Sequence, residues 1–191
     1  MVKHLEAQIL GTVSDLAGYP IVMARDNSDL QVVSSTTETE VLEYTCGANK
    51  LSGDHGFRVA LDGFIRNETA ASATPDITFA IKLGATTLWQ GLIPNTTNEA
   101  TNQPVRLEFE VMAKNSDAIQ ELFGFLVITG SGSIALVGEG GGQSYTNGGG
   151  ALYGDATEDG TTDLVLAVTV DLEVADADFE FTRRRFLVEY L

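Results

Sequence analysis

Few residues in this sequence are of a kind and spacing that could do chemistry. There are two histidines, His4 and His55. Asp54 precedes His55 in the turn-like "SGDHG", which invites a Ser/His/Asp reading. Adjacency in sequence does not build a triad, whose members are recognised by their geometry. No G-x-S-x-G elbow supplies a nucleophile, and no cysteine or histidine nearby completes a zinc set. His55 reads as a solvated or hydrogen-bonded turn residue. No catalytic residue, cofactor or metal is assigned, and the chain reads as a non-enzyme.

The glycine-rich stretch "GEGGGQSYTNGGGALYGDATEDGTTD", residues 138–163, offers three chemistries. A phosphate cradle needs a lysine and a following helix, whereas the nearest basic residue is Arg183 and a strand pattern follows. Calcium needs several oxygens at high density. Asp155, Glu158, Asp159 and Asp163 supply carboxylates, but Leu166 stands where an EF-hand places its bidentate glutamate. A solvated acidic loop is the expected reading there. The third use is contact: Tyr145, Leu152 and Tyr153 are candidate anchors against another subunit or a capsid, as tyrosines often are at interfaces. A simple loop tip is the alternative.

Arg183, Arg184 and Arg185 form the one basic cluster. They are a candidate docking patch for carboxylates of the same or a neighbouring subunit, because a guanidinium fork binds a carboxylate bidentately. Solvated side chains on a bulge are the alternative. Trp89, in "TTLWQGLI", reads as core, with sugar stacking as the competing use; alternation puts Leu88 and Trp89 on opposite faces.

The whole chain sets the limits on these readings. It has 191 residues, 11 Lys plus Arg against 27 Asp plus Glu, and a formal charge of −16. Binding to phosphate backbones and anionic lipid heads is driven by cations, so neither nucleic acid nor a membrane is an expected partner. The single cysteine, Cys46, excludes an intrachain disulfide framework. The opening "MVKHLEAQILGTVSDLAG" lacks the apolar core of a signal peptide, and no apolar run is long enough to span a bilayer as a helix. Synthesis in a host cytoplasm is the expectation.

The elements that must position these residues follow a period of two, the signature of strands with one face on a core. In "FRVALDG", Phe57, Val59 and Leu61 share a face. In "DITFAIKL", "VRLEFEVMAK" and "DLVLAVTVDLEV" the same alternation recurs. Further strands are expected at "LQVVSS", "TEVLEYTC", "TTLWQGLI" and "ELFGFLVITG", with a hairpin turn at Gly84 and a polar loop over "PNTTNEATNQP". In "FEFTRRRFLVEY" the apolar parity switches from Phe179 and Phe181 to Phe186, Val188 and Tyr190, which predicts a β-bulge at Arg183–Arg185. Helical spacing is sustained nowhere. A single turn over "SDAIQEL", with Asp117 and Gln120 at capping-box spacing, is the one helical candidate. The expected fold is all-β: one antiparallel two-sheet sandwich over residues 29–191, first a jelly roll, second an immunoglobulin-like sandwich. Residues 1–28 form either an extended arm or extra strands, and Lys3, His4, Leu10, Tyr19 and Ile21 are its candidate contact residues.

The stretches "GFRVALDGFIRN", "DITFAIKLGATTLWQGLI", "PVRLEFEVMAKN", "LFGFLVITGSG" and "TDLVLAVTVDLEVADADFEFTRRRFLVEYL" resemble small virion proteins of tailed bacteriophages. The resemblance is to jelly-roll capsid decoration, or cement, proteins, and covers residues 56–191 in strand style and order. It matches no functional residue of that family to a position here. It implies a homotrimer on the capsid exterior that clamps the major capsid protein. A tail or fibre component, or a carbohydrate-binding sandwich, is the alternative.

Overall fold

The structure, a computed structural model, describes residues 20–69, 75–93, 99–128, 135–139, 145–146 and 149–191. Within them the chain forms β1 (Ile21–Asp26), β2 (Leu30–Val33), β3 (Thr39–Cys46), β4 (Gly56–Asn67), β5 (Ile77–Leu83), β6 (Thr86–Ile93) and β7 (Glu99–Ala113). It continues through β8 (Gln120–Ile128), β9 (Ala135–Glu139), β10 (Tyr145–Thr146), β11 (Gly149–Ala156), β12 (Leu164–Leu172) and β13 (Phe179–Tyr190). They make two antiparallel sheets. One runs β1-β13-β4-β7-β8-β11, with β2 also on β13; the other runs β10-β9-β6-β5-β12-β3.

The chain repeatedly crosses between the sheets, as at β3 to β4, β4 to β5, β6 to β7 and β12 to β13, which is the jelly-roll manner of closing a sandwich. Alternation does the sorting. Phe57, Val59, Leu61 and Ile65 of β4 are fully buried, as are Ile77, Phe79, Ile81 and Leu83 of β5. Phe79 of one sheet meets Phe181 of the other edge-to-face at 5.2 Å, a favoured geometry for aromatic pairs.

Bulges explain where simple alternation fails. The expected bulge in β13 is present: the register against β4 shifts between Arg183 and Arg185. A second bulge was not expected. Ile81 pairs with Trp89 and Lys82 with Thr87, which leaves Leu88 as the extra residue. Leu88 and Trp89 are therefore both buried, not divided between faces. The indole lies over Gly91, where an added Cβ would fall 2.2 Å from the ring.

Other expectations need correction. The "SDAIQEL" segment holds a turn at Asp117–Ala118 and then enters β8 at Gln120. The Gln120 side chain caps no helix. Its amide donates to the carbonyls of Glu158 (3.0 Å) and Asp117 (3.3 Å), and its oxygen accepts from the Glu158 amide (3.0 Å). The polar loop expected after Pro94 gives way to strand from Glu99. The glycine-rich stretch is not one loop, because β11 pairs with β8 over eight residues. Gly84 does make the β5–β6 turn, at φ +56°.

Ile21–Asp26 lies in the sandwich as β1, antiparallel to β13. Both β1 and β2 pair with the flank of β13 opposite β4. They form one edge strand interrupted at Asn27–Asp29, level with the β13 bulge. Lys3, His4, Leu10 and Tyr19 lie outside the described residues.

Candidate interaction surface

The bulge sets the directions of the three arginines. Arg183 keeps the inward parity of Phe179 and Phe181, so it enters the sandwich edge and is 6% exposed. It donates to the Val41 carbonyl of the opposite sheet at 2.7 Å and to Asp26 Oδ2 at 2.6 Å. Its guanidinium lies 5.0 Å from the Phe186 ring centre. The Ser28 hydroxyl and amide, with Arg183 behind them, hold the Asp26 carboxyl below the ordinary carboxylate range. Arg184 and Arg185 face outward. Arg184 pairs with Asp29 and Arg185 with Asp62, each at 2.5 Å. The cluster thus takes carboxylates of its own chain, and it bridges the break between β1 and β2.

Pairing outward from Arg185 builds a charged ladder on the outer face of the seven-stranded sheet. Asp62 of β4 stands between Arg185 and Arg106 of β7, the latter at 3.7 Å. Arg106 also holds Glu108 at 2.9 Å, and Arg58 holds Glu110 at 2.6 Å. Above the ladder, at the β1 edge, a groove of about 460 Å3 opens. Val22, Ala60, Phe186 and Leu187 give it apolar lining; Arg25, Arg106 and Arg185 give it cations, and Asp62 and Asn27 complete it. Arg25 is exposed and has no ion pair among the described residues.

At the far edge of the same face three aromatic side chains meet water. Phe123 is 50% exposed, Phe125 41% and Tyr153 48%. Phe123 and Tyr153 are directly paired across β8 and β11, with ring centres 5.3 Å apart and planes tilted 57°. Tyr153 was a sequence candidate, but Phe123 and Phe125 were not singled out. The run "LFGFLVI" is apolar at both parities, so alternation alone cannot say which side faces out. Glycine at the inward position 124 is the usable signal: an added Cβ would fall 2.4 Å from the Glu108 carbonyl oxygen.

The remaining candidates separate. Leu152 is 2% exposed and packs in the core, so its side chain is not at the surface. Ile21 is half-buried on β1. Tyr145 lies in β10, and its side chain is outside the described residues. His55 stacks on Tyr190 at 5.5 Å, with Nδ1 3.3 Å from the Leu191 carbonyl oxygen. Trp89, 5% exposed, offers no ring face to a sugar.

The acidic turn is occupied with internal bonding. Glu158 accepts from Ala85 N (3.1 Å) and Thr86 Oγ1 (2.6 Å), Asp159 from Thr161, and Asp163 from Ala48 N (2.7 Å). Among the described residues no three His, Cys, Asp or Glu side chains converge on a metal position.

Fold and surface together define a jelly-roll-type β-sandwich whose distinctive chemistry lies on one sheet face, in an aromatic cluster and an arginine-lined groove. No family model and no curated protein matches the sequence. Among solved structures, the chain is similar to peanut lectin with a nonamer peptide (TM-score 0.39, 7% identity, 91% of this chain and 98% of that one). It is also similar to the CBM2 module of the evolved Dit of Lactobacillus casei BL23 phage J-1 (TM-score 0.32, 7% identity, 77% and 67%). A third likeness is to an alginate lyase from Alteromonas sp. 272 (TM-score 0.32, 11% identity, 87% and 89%). These likenesses assign no function.

Proposed function

We propose that this protein is a structural virion component, a capsid decoration protein that binds the outer surface of a phage head and acts through shaped β surfaces without transforming a substrate. The observation that carries the reading is the outer face of the seven-stranded sheet. Phe123, Phe125 and Tyr153 stand exposed there, beside carboxylates already neutralised by arginines. Contiguous exposed apolar side chains mark contact surfaces on soluble proteins, and paired charges lower the repulsion a second surface would meet. The major capsid protein is the proposed partner. A homotrimer suits the role, because closed rotational symmetry repeats one footprint three times and multivalent attachment raises avidity well above that of one footprint.

Deleting the chain from a phage that encodes it, followed by electron microscopy and thermal challenge of the heads, tests the reading. Heads lacking an outer layer and bursting at lower temperature are expected. Heads unchanged in appearance and stability would reject it. Added back, the wild-type chain should bind the bare heads, and a Phe123→Ser/Tyr153→Ser variant should bind them at least about tenfold more weakly.

The exposed rings favour a second reading, a carbohydrate-binding module, since sugars stack on aromatic faces. The 57° tilt between Phe123 and Tyr153 denies a flat platform to an extended chain. Glycan-array binding that is lost in the same double variant would select this reading over the first.

A further inference from the structure

We propose that the groove between β1, β13, β4 and β7 is a docking site for an extended, acidic peptide segment of a partner protein. The segment would add to the edge of β1 left unpaired among the described residues and set a carboxylate between Arg25 and Arg185. The inference deepens the protein-binding reading above and rests on it.

Charge is the first argument. The chain carries −16, yet three guanidinium groups line this groove against the carboxylate of Asp62, with Glu108 held by Arg106 beside it. Asp62 is shared between Arg106 and Arg185, and Arg25 has no ion pair among the described residues. The groove therefore holds cationic hydrogen-bonding capacity that its own chain leaves unused. Planar guanidinium forks match carboxylates, and a bidentate pair is stronger than a single neutral hydrogen bond.

Backbone is the second argument. Among the described residues β1 pairs only with β13 and ends the sheet order. An outermost strand presents unpaired N–H and C=O groups, and an extended peptide can satisfy them by strand addition. A sugar chain has no matching repeat of donors and acceptors. Val22 and Met23, 53% and 40% exposed, add apolar surface at that edge, while Ala60 and Leu187 lie in the groove between the arginines. A strand places alternate residues on one face, so the fitting segment carries an acidic residue with an aliphatic one two positions away. The groove volume of about 460 Å3 lies within the range of roughly 300–1,000 Å3 usual for specific sites. A second copy is the poorer occupant, because it would bring another −16 toward the first.

The test is a titration of the isotope-labelled full chain at low salt, followed by nuclear magnetic resonance. One probe is the blocked peptide Thr-Val-Thr-Glu-Thr-Val, with Val, Glu and Val on one face, and the other its Gln-for-Glu counterpart. The acidic peptide is expected to shift amide signals of residues 21–26 and 185–187 and to bind about tenfold tighter than the Gln peptide. Arg25→Gln, which breaks no ion pair among the described residues, is expected to remove most of that preference. Arg185→Gln, on the neighbouring strand β13, provides a second variant. Equal binding of the two peptides, shifts confined to other strands, or unchanged affinity in Arg25→Gln would overturn the proposal. So would binding of oligogalacturonate without binding of the peptide, or self-association in sedimentation that Arg25→Gln abolishes. Heads that prove indifferent to the chain, with peptide binding intact, would reject the virion reading and leave the groove assignment standing.

Discussion

Arg183 carries its charge to a place where water scarcely reaches, and it holds there through a carbonyl of the opposite sheet and the carboxylate of Asp26. Removing one member of such an arrangement leaves buried polar groups without partners. Arg183→Met is expected to cost about 2 kcal/mol, whereas Arg185→Gln, at a side chain 61% exposed, is expected to cost less than about 0.5 kcal/mol. Urea unfolding of both variants measures the contrast. Burial likewise pushes the Cys46 thiol up to about 12, so the reactive thiolate is scarce at neutral pH. Cys46 should resist iodoacetamide in the native protein and react once urea unfolds it; rapid native labelling would contradict its placement. Glu40 behaves oppositely to Asp26. The bulge at Val41, where Leu42 pairs with Val168 but Glu40 with Thr169, brings Glu40 and Glu43 onto one face. Their hydrogen bond, with some burial and mutual repulsion, raises the Glu40 carboxyl above its ordinary range. A carboxyl raised by folding binds its proton more tightly in the native state, so stability falls as pH climbs from the unfolded to the folded value. Glu43→Gln should therefore raise the melting temperature at pH 7 and leave it nearly unchanged in acid, where Glu40 is protonated.

At the scale of elements, strands were legible wherever one parity was apolar and the other polar. The β13 bulge was legible too, because Phe179 and Phe181 on one side of the arginines and Phe186, Val188 and Tyr190 on the other cannot share a face without an extra residue. The β6 bulge was hidden, since Leu88 and Trp89 are both apolar and ordinary alternation accommodates either one. Gly91, whose missing side chain makes room for the indole, had no visible reason in the sequence. The candidate surface was the least legible part. Arg25, Arg106 and Arg185 are far apart along the chain and become neighbours only through the order β1-β13-β4-β7. Two substitutions check the elements. Gly84→Ala forces a side chain into the left-handed region and toward the Glu158 carboxylate, 3.0 Å from the added Cβ; it should cost about 1–2 kcal/mol. Gly91→Ala should displace the Trp89 ring, shift its fluorescence to longer wavelength and cost about 1–3 kcal/mol. Unaltered emission would contradict the packing of Trp89 over Gly91.

Across the whole molecule charge is unevenly spread. Seven of the eleven basic residues, Arg25, Arg58, Arg66, Arg106, Arg183, Arg184 and Arg185, stand on strands of one sheet, while the other sheet's strands carry only Lys82. The acids Asp155, Glu158, Asp159, Asp163, Glu173, Asp176 and Asp178 crowd the segments around β12. Added salt screens repulsion among such groups, so moderate sodium chloride should raise the melting temperature of the isolated chain. A fall on adding salt would mean that attractive pairs outweigh the excess of like charge. The place of β13 has a temporal consequence. It lies between the interrupted edge strand and β4, so Ile21 meets Tyr190 and Asn67 meets Phe179. During synthesis β1, β2 and one flank of β4 emerge from the ribosome long before their common partner exists. Closing so long a loop is slow; until then the nascent chain exposes an unfinished sheet, and its yield depends on how well the cell shields that edge from other chains while it waits.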